Sequence, residues 1–127
     1  MPVSFTDREL DVMAVLWREG SGTVAEVRDA LAGDFAYTTV LTVLRTLEEK
    51  GYVAHVAEGK AHRYVPLVDQ ATAGRSALTR LLDTVFEGSP ELLLTQLISE
   101  KGVDAAKLRA LRELLDERLA GRKGRGQ

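Results

Sequence analysis

The stretch DFAYTTVLTVLRTLEEKG, residues 34–51, decides how the rest of the chain is read. At about 100° per residue, Val40, Val43, Leu44 and Leu47 fall on one side of a helix, while Thr38, Leu41, Thr42, Arg45 and Glu49 fall on the other. The spacing predicts a helix from about Ala36 to Lys50, closed by Gly51. One face packs and the other is presented. Threonine is a poor choice for a face that only meets water, because β-branching restricts χ1 and lowers helix propensity. Thr38, Thr39 and Thr42, with Arg45, stand where mixed Lys and Glu are usual. They predict a face kept for another molecule.

Upstream, Phe5-Thr6-Asp7-Arg8-Glu9-Leu10 reads as a helix start, with Thr6 as N-cap, Glu9 closing a capping box and Phe5 stapling against Leu10. That helix runs to about Glu19, with Leu10, Met13, Ala14, Leu16 and Trp17 as its buried stripe, and Gly20-Ser21-Gly22 ends it. Trp17 reads as a core anchor. The same capping pattern at Thr23-Val24-Ala25-Glu26 opens a shorter helix to about Ala32, with Val24, Val27 and Leu31 inward. Downstream of Gly51 the period changes to two. Residues 52–56 and 61–67 predict two strands joined through Ala57-Glu58-Gly59-Lys60, a hairpin with glycine at its tip. Three helices followed by a hairpin spell a winged helix-turn-helix over residues 1–68.

Residues 69–120 are helical and leucine-dominated. Leu78, Leu81, Leu82, Val85 and Phe86 form one stripe, and Ser89-Pro90 opens a second helix carrying Leu93, Leu94, Leu97 and Ile98. Asp104 caps a last helix with Leu108, Leu111, Leu115 and Leu119 in line and Leu114 at the edge. These leucines are too many for a solvated tail and too few for an independent core, so a second copy of the same arm is the expected partner. Leu78, Leu81, Leu82, Val85, Leu93, Leu94, Leu97, Ile98, Leu108, Leu111 and Leu115 are the candidate dimer contacts. The Gly/Arg-rich stretch 121–127 reads as a disordered basic tail. The fold class is therefore mostly α with a small β-hairpin, a winged helix followed by a three-helix arm.

The chain has 127 residues and no cysteine, which excludes disulfides, thiolate metal sites and thiol redox switches. Two histidines, no glycine-rich phosphate loop and no HExxH or GxSxG pattern leave no constellation with catalytic spacing, so no enzyme and no cofactor is expected. His55 and His62 across the hairpin lack a third metal ligand in the pattern. No apolar run approaches the roughly 18 residues of a membrane span, and the N-terminus carries no basic-then-apolar leader, so the cytoplasm is expected. Net charge is −2; residues 1–68 carry 7 Lys and Arg against 10 Asp and Glu. A nucleic-acid partner would be met through few phosphate contacts per subunit.

Ala36-Tyr37-Thr38-Thr39-Val40-Leu41-Thr42-Val43-Leu44, then Leu47, Lys50-Gly51 and His62-Arg63-Tyr64-Val65-Pro66, closely resemble the BlaI/MecI penicillinase-repressor family of bacterial regulators. The resemblance extends over nearly the whole chain. It implies a cytoplasmic homodimer that binds a palindromic operator in double-stranded DNA and represses transcription. In the antibiotic-resistance members it also implies release through a membrane sensor protease and cleavage at an Asn-Phe bond in the arm; the aligned position here reads Gln96-Leu97. The cysteine motif of the copper-responsive relatives is absent, and Thr46 stands where the family often has arginine.

On this reading Thr38 and Thr39, at the N-terminal turn, position the helix on the DNA backbone, and Thr42 and Arg45 read bases, Arg45 by a bidentate grip on guanine. Leu41 either contacts a thymine methyl or packs on a neighbouring helix. Tyr37 is expected on phosphate and Tyr64 in the core. Thr46 completes the helix face. Lys60, His62 and Arg63 are the wing's candidates for phosphate or minor-groove contact, with pairing to Glu58 as the alternative for Arg63. A winged-helix module for protein partners, indifferent to DNA, is the rival function.

Overall fold

The computed structural model describes residues 3–125. The elements follow in the order α1 (Asp7–Glu19), β1 (Gly22–Thr23), α2 (Val24–Ala30), α3 (Tyr37–Glu49), β2 (Val53–Glu58), β3 (Ala61–Pro66), α4 (Gln70–Thr84), α5 (Pro90–Ile98) and α6 (Ala105–Arg125). Two compact units result, residues 1–79 and 80–127, a division inside α4, whereas the change of pattern along the chain falls at 68/69. Among the described residues no helix is long and apolar enough to cross a membrane.

In the first unit both predicted capping boxes form. Thr6 Oγ1 accepts from the Glu9 N–H at 3.1 Å and Glu9 Oε1 from the Thr6 N–H at 2.8 Å; Thr23 and Glu26 repeat the exchange at 3.2 and 3.1 Å. Each box satisfies two amides that a helix start leaves open. The core gathers Val12, Met13, Val15 and Leu16 of α1, Val24 and Val27 of α2, Val40, Leu44 and Leu47 of α3, and Val53 and Tyr64 of the sheet.

The rotation of α1 differs from the expected one. Leu10 is 43% exposed and Ala14 is exposed, while Val12, Val15 and Glu9 are buried. The helix is turned by about one residue, 100°, because Glu9 faces inward to meet Lys50 and Trp17 sits at the rim, its indole N–H donating to the Val68 carbonyl at 2.8 Å. Phe5 consequently does not staple to Leu10. It packs edge-on against Trp17 and tilted against Tyr52, with centroids 6.2 and 4.9 Å away.

The sheet has three strands in the order β1-β3-β2, all antiparallel. Two-residue β1, which no periodicity announces, pairs Gly22 with Tyr64 and Thr23 with Arg63. Gly22 is required there: a Cβ would stand 2.9 Å from Val27 Cγ2. The wing strand β2 runs on to Glu58, so the turn is only Gly59-Lys60, and Gly59 takes the left-handed φ of 61° that a tight hairpin needs.

In the second unit α4 ends at Thr84, before Val85 and Phe86. Ser89 caps α5 through the Leu92 N–H at 3.2 Å, with Pro90 at the first turn, and Asp104 accepts from the Lys107 N–H at 3.0 Å. Helix α6 continues through Gly121 to Arg125, in place of the expected disordered tail from 121; residues 126 and 127 lie outside the described part. No proline interrupts it, and extending an existing helix requires no new nucleus. No described side chain in residues 80–121 is fully buried.

Candidate nucleic-acid interface

Helix α3 is held from three directions. Its inner face enters the core between α1 and α2, and its C-terminal end is fixed by two polar links. Lys50 Nζ, just past the helix, donates to both oxygens of buried Glu9 at 2.9 and 2.8 Å. Burial raises the Glu9 pKa, but the hydrogen bonds from Lys50 and the Thr6 backbone outweigh it and leave the carboxyl below its ordinary value. In the last turn, Glu48 Oε2 lies 2.6 Å from His55 Nδ1 on β2. These contacts fix the helix relative to α1 and to the wing.

What α3 leaves outward is the threonine face. Tyr37, Thr38, Thr39, Thr42 and Arg45 are exposed, and Arg45 has no ion pair among the described residues. Ala36, the N-cap, offers no side-chain acceptor, so the helix start is uncapped where α1 and α2 are boxed. Its open amides are donors suited to a phosphate oxygen. Two residues of the expected face are not freely presented. Leu41 is half-buried and packs against the core, and Thr46 is half-buried. Both sit where the helix surface turns toward its neighbours.

The two faces of the wing make different contacts. Alternation along the strands puts Val53, His55 and Ala57 with His62, Tyr64 and Pro66 on one side. There the His55 and His62 rings stack 4.1 Å apart, and Tyr64 is buried as expected, its hydroxyl pKa raised by burial and then by the nearby Glu48 charge. Among the described residues no group of three or more His, Cys, Asp or Glu could hold a metal ion.

On the other side Arg63 is fully engaged. Its Nε donates to Glu58 Oε2 at 3.0 Å, Nη1 to Glu26 Oε1 at 2.9 Å and to Ser21 Oγ at 3.2 Å, and Nη2 to Glu26 Oε2 at 3.1 Å. The hydrogen bonds to Glu58 and Glu26 hold its guanidinium above the ordinary arginine range. Arg63 thus takes the pairing with Glu58 that was its alternative, joined by Glu26, which no local pattern signals from 37 residues away. Lys60, at the exposed wing tip, has no such partner among the described residues, and His62 is exposed beside it in the strand.

Most of the chain matches known proteins. Residues 5–117 match the family model described as penicillinase repressor. The chain belongs to the penicillinase repressor family. A protein named transcriptional regulator BlaI from Mycobacterium tuberculosis is 39% identical over 122 residues, 91% of this chain and 85% of that one. The penicillinase repressor of Bacillus licheniformis is 25% identical over 114 residues, 88% of this chain and 89% of that protein. The solution structure of the DNA-binding domain of the repressor BlaI superimposes with a TM-score of 0.50 and 32% identity, covering 57% of this chain and 93% of that domain. Family membership thus extends through the winged helix and most of the arm.

Proposed function

We propose that this family member is a sequence-specific DNA-binding transcriptional repressor, not an enzyme, that acts as a homodimer on two-fold symmetric operators in the cytoplasm. The observation that carries it is the division of α3: Val40, Leu44 and Leu47 are buried while Thr38, Thr39, Thr42 and Arg45 are held outward on a braced helix with an uncapped start. Such a helix fits the major groove, with its first turn on the backbone and its middle on base edges. Tyr37 and Lys60 add phosphate contacts at the two ends of the site, and His62 stands beside them.

The arm supports the dimer. Leu78, Leu81, Val85, Leu94, Leu97, Ile98, Leu108 and Leu115 are each 40% exposed or more, and Leu82, Leu93 and Leu111 are half-buried. That much apolar surface is stabilised by a second copy. Two linked winged helices, reading half-sites about 34 Å apart, compensate for the few basic residues in each. A protease acting at Gln96-Leu97 would first have to unwind α5, which spans that bond. The rival reading, a module for protein partners only, keeps the −2 net charge in its favour and little else.

The deciding experiment is selection of duplexes from a random-sequence pool by the full-length protein, followed by anisotropy titration. Enrichment of a palindromic sequence bound by a dimer is expected. Failure to enrich any sequence at low salt would overturn the proposal.

A further inference from the structure

Each threonine hydroxyl has one hydrogen to give. Thr42 Oγ1 donates its hydrogen to the Thr38 carbonyl at 2.9 Å, and Thr46 Oγ1 donates to the Thr42 carbonyl at 2.9 Å. Thr38 and Thr39, in the first turn, have no carbonyl one turn earlier in the helix to receive theirs. The outward face therefore contains two kinds of threonine. The first-turn pair keeps hydroxyl donors for phosphate oxygens. Thr42, exposed at the middle of the face, has its donor closed inward, and what it presents is a γ-methyl group and an oxygen lone pair.

We infer that Thr42 reads its base through the γ-methyl, against the 5-methyl of a thymine, and not through a hydroxyl hydrogen bond. The inference rests on the DNA-binding reading and names the chemistry one residue recognises. Turning the hydroxyl toward a base exchanges one hydrogen bond for another with little net gain. Covering two methyl groups removes apolar surface from water, a gain with no competing loss. Leu41, the other apolar side chain near this position, packs against the core, so Thr42 supplies the exposed methyl group at the middle of the face. The back-bond also restricts χ1, so the methyl is held in place before DNA arrives.

The test uses the best duplex from the random pool and a copy in which the thymines of each half-site are replaced by deoxyuridine, which lacks only the methyl. Full-length wild type, Thr42→Val and Thr42→Ser are titrated against both. Thr42→Val keeps the methyl and is expected within twofold of wild type, an allowance small beside the effect sought. Thr42→Ser keeps the hydroxyl and is expected to lose about fourfold per half-site, as for one buried methyl group. Deoxyuridine should cost wild type and Thr42→Val about the same fourfold, and Thr42→Ser nothing more. A loss by Thr42→Val equal to or larger than that by Thr42→Ser overturns the inference, as does wild-type indifference to deoxyuridine. If the pool yields no enriched duplex, the DNA-binding reading itself fails first, which separates the two failures.

Discussion

Arg63 meets Glu26 fork against fork, with Nη1 2.9 Å from Oε1 and Nη2 3.1 Å from Oε2. Glu26 Oε1 also closes the capping box on the Thr23 amide, so one carboxylate joins the start of α2 to the wing. The Arg63 hydrogen bond is the main reason that the Glu26 pKa is lowered. A bidentate guanidinium–carboxylate pair specifies geometry as well as adding attraction. Through this pair Arg63 ties the wing strand to the start of α2.

Arg63→Ala and Glu26→Gln are therefore expected to weaken DNA binding to a similar extent, and the double variant to be no weaker than either alone. Neither should change the slope of affinity against salt. Lys60→Ala, by contrast, is expected to flatten that slope by about one unit. A slope change in Arg63→Ala would place that residue among the phosphate contacts.

Arg45 is exposed and unpaired among the described residues, and it projects from the middle of α3. Arg45→Ala is expected to reduce discrimination between the selected duplex and a scrambled one by about 1–3 kcal/mol, with the melting temperature unchanged. An equal loss on both duplexes would show that it contacts backbone instead.

The Glu9–Lys50 pair ties acid stability to the end of α3. The Glu9 pKa is lowered below its ordinary 4.5 by hydrogen bonds that outweigh burial. A depressed carboxylate contributes stability that is present above its unfolded-state value and is lost as pH falls through the folded one. Glu9→Gln should cost about 1–3 kcal/mol at neutral pH, and thermal melts should show the gap from wild type closing as pH drops below 4.5. A gap that stays constant down to about pH 3 would exclude the linkage.

Leu115 is 53% exposed and Leu108 40% exposed on α6. Replacing both with aspartate is expected to convert a dimer to a monomer in sedimentation equilibrium and to lower operator affinity by about a hundredfold, the contribution of linking two sites. The winged helix should remain folded, since its core lies in residues 12–64. A double variant that stays dimeric would place the interface elsewhere.

The sequence by itself determined what depends on near neighbours. Both capping boxes, the breaks at Gly20, Gly51 and Ser89-Pro90, the hairpin with its glycine and the two faces of α3 follow from contacts within about four residues. Such contacts leave a periodic trace. Other features have no trace of that kind. In α1, Leu10, Val12, Met13, Ala14, Val15, Leu16 and Trp17 nearly encircle the helix, so periodicity does not select the buried stripe; the inward pull of Glu9 on Lys50, 41 residues away, does. Two-residue β1 is too short to show alternation, and only the register with β3 defines it. The partners of Arg63 were likewise decided by tertiary structure. Charge pairing across the fold depends on which groups folding brings within about 3 Å, and spacing along the chain does not encode that distance.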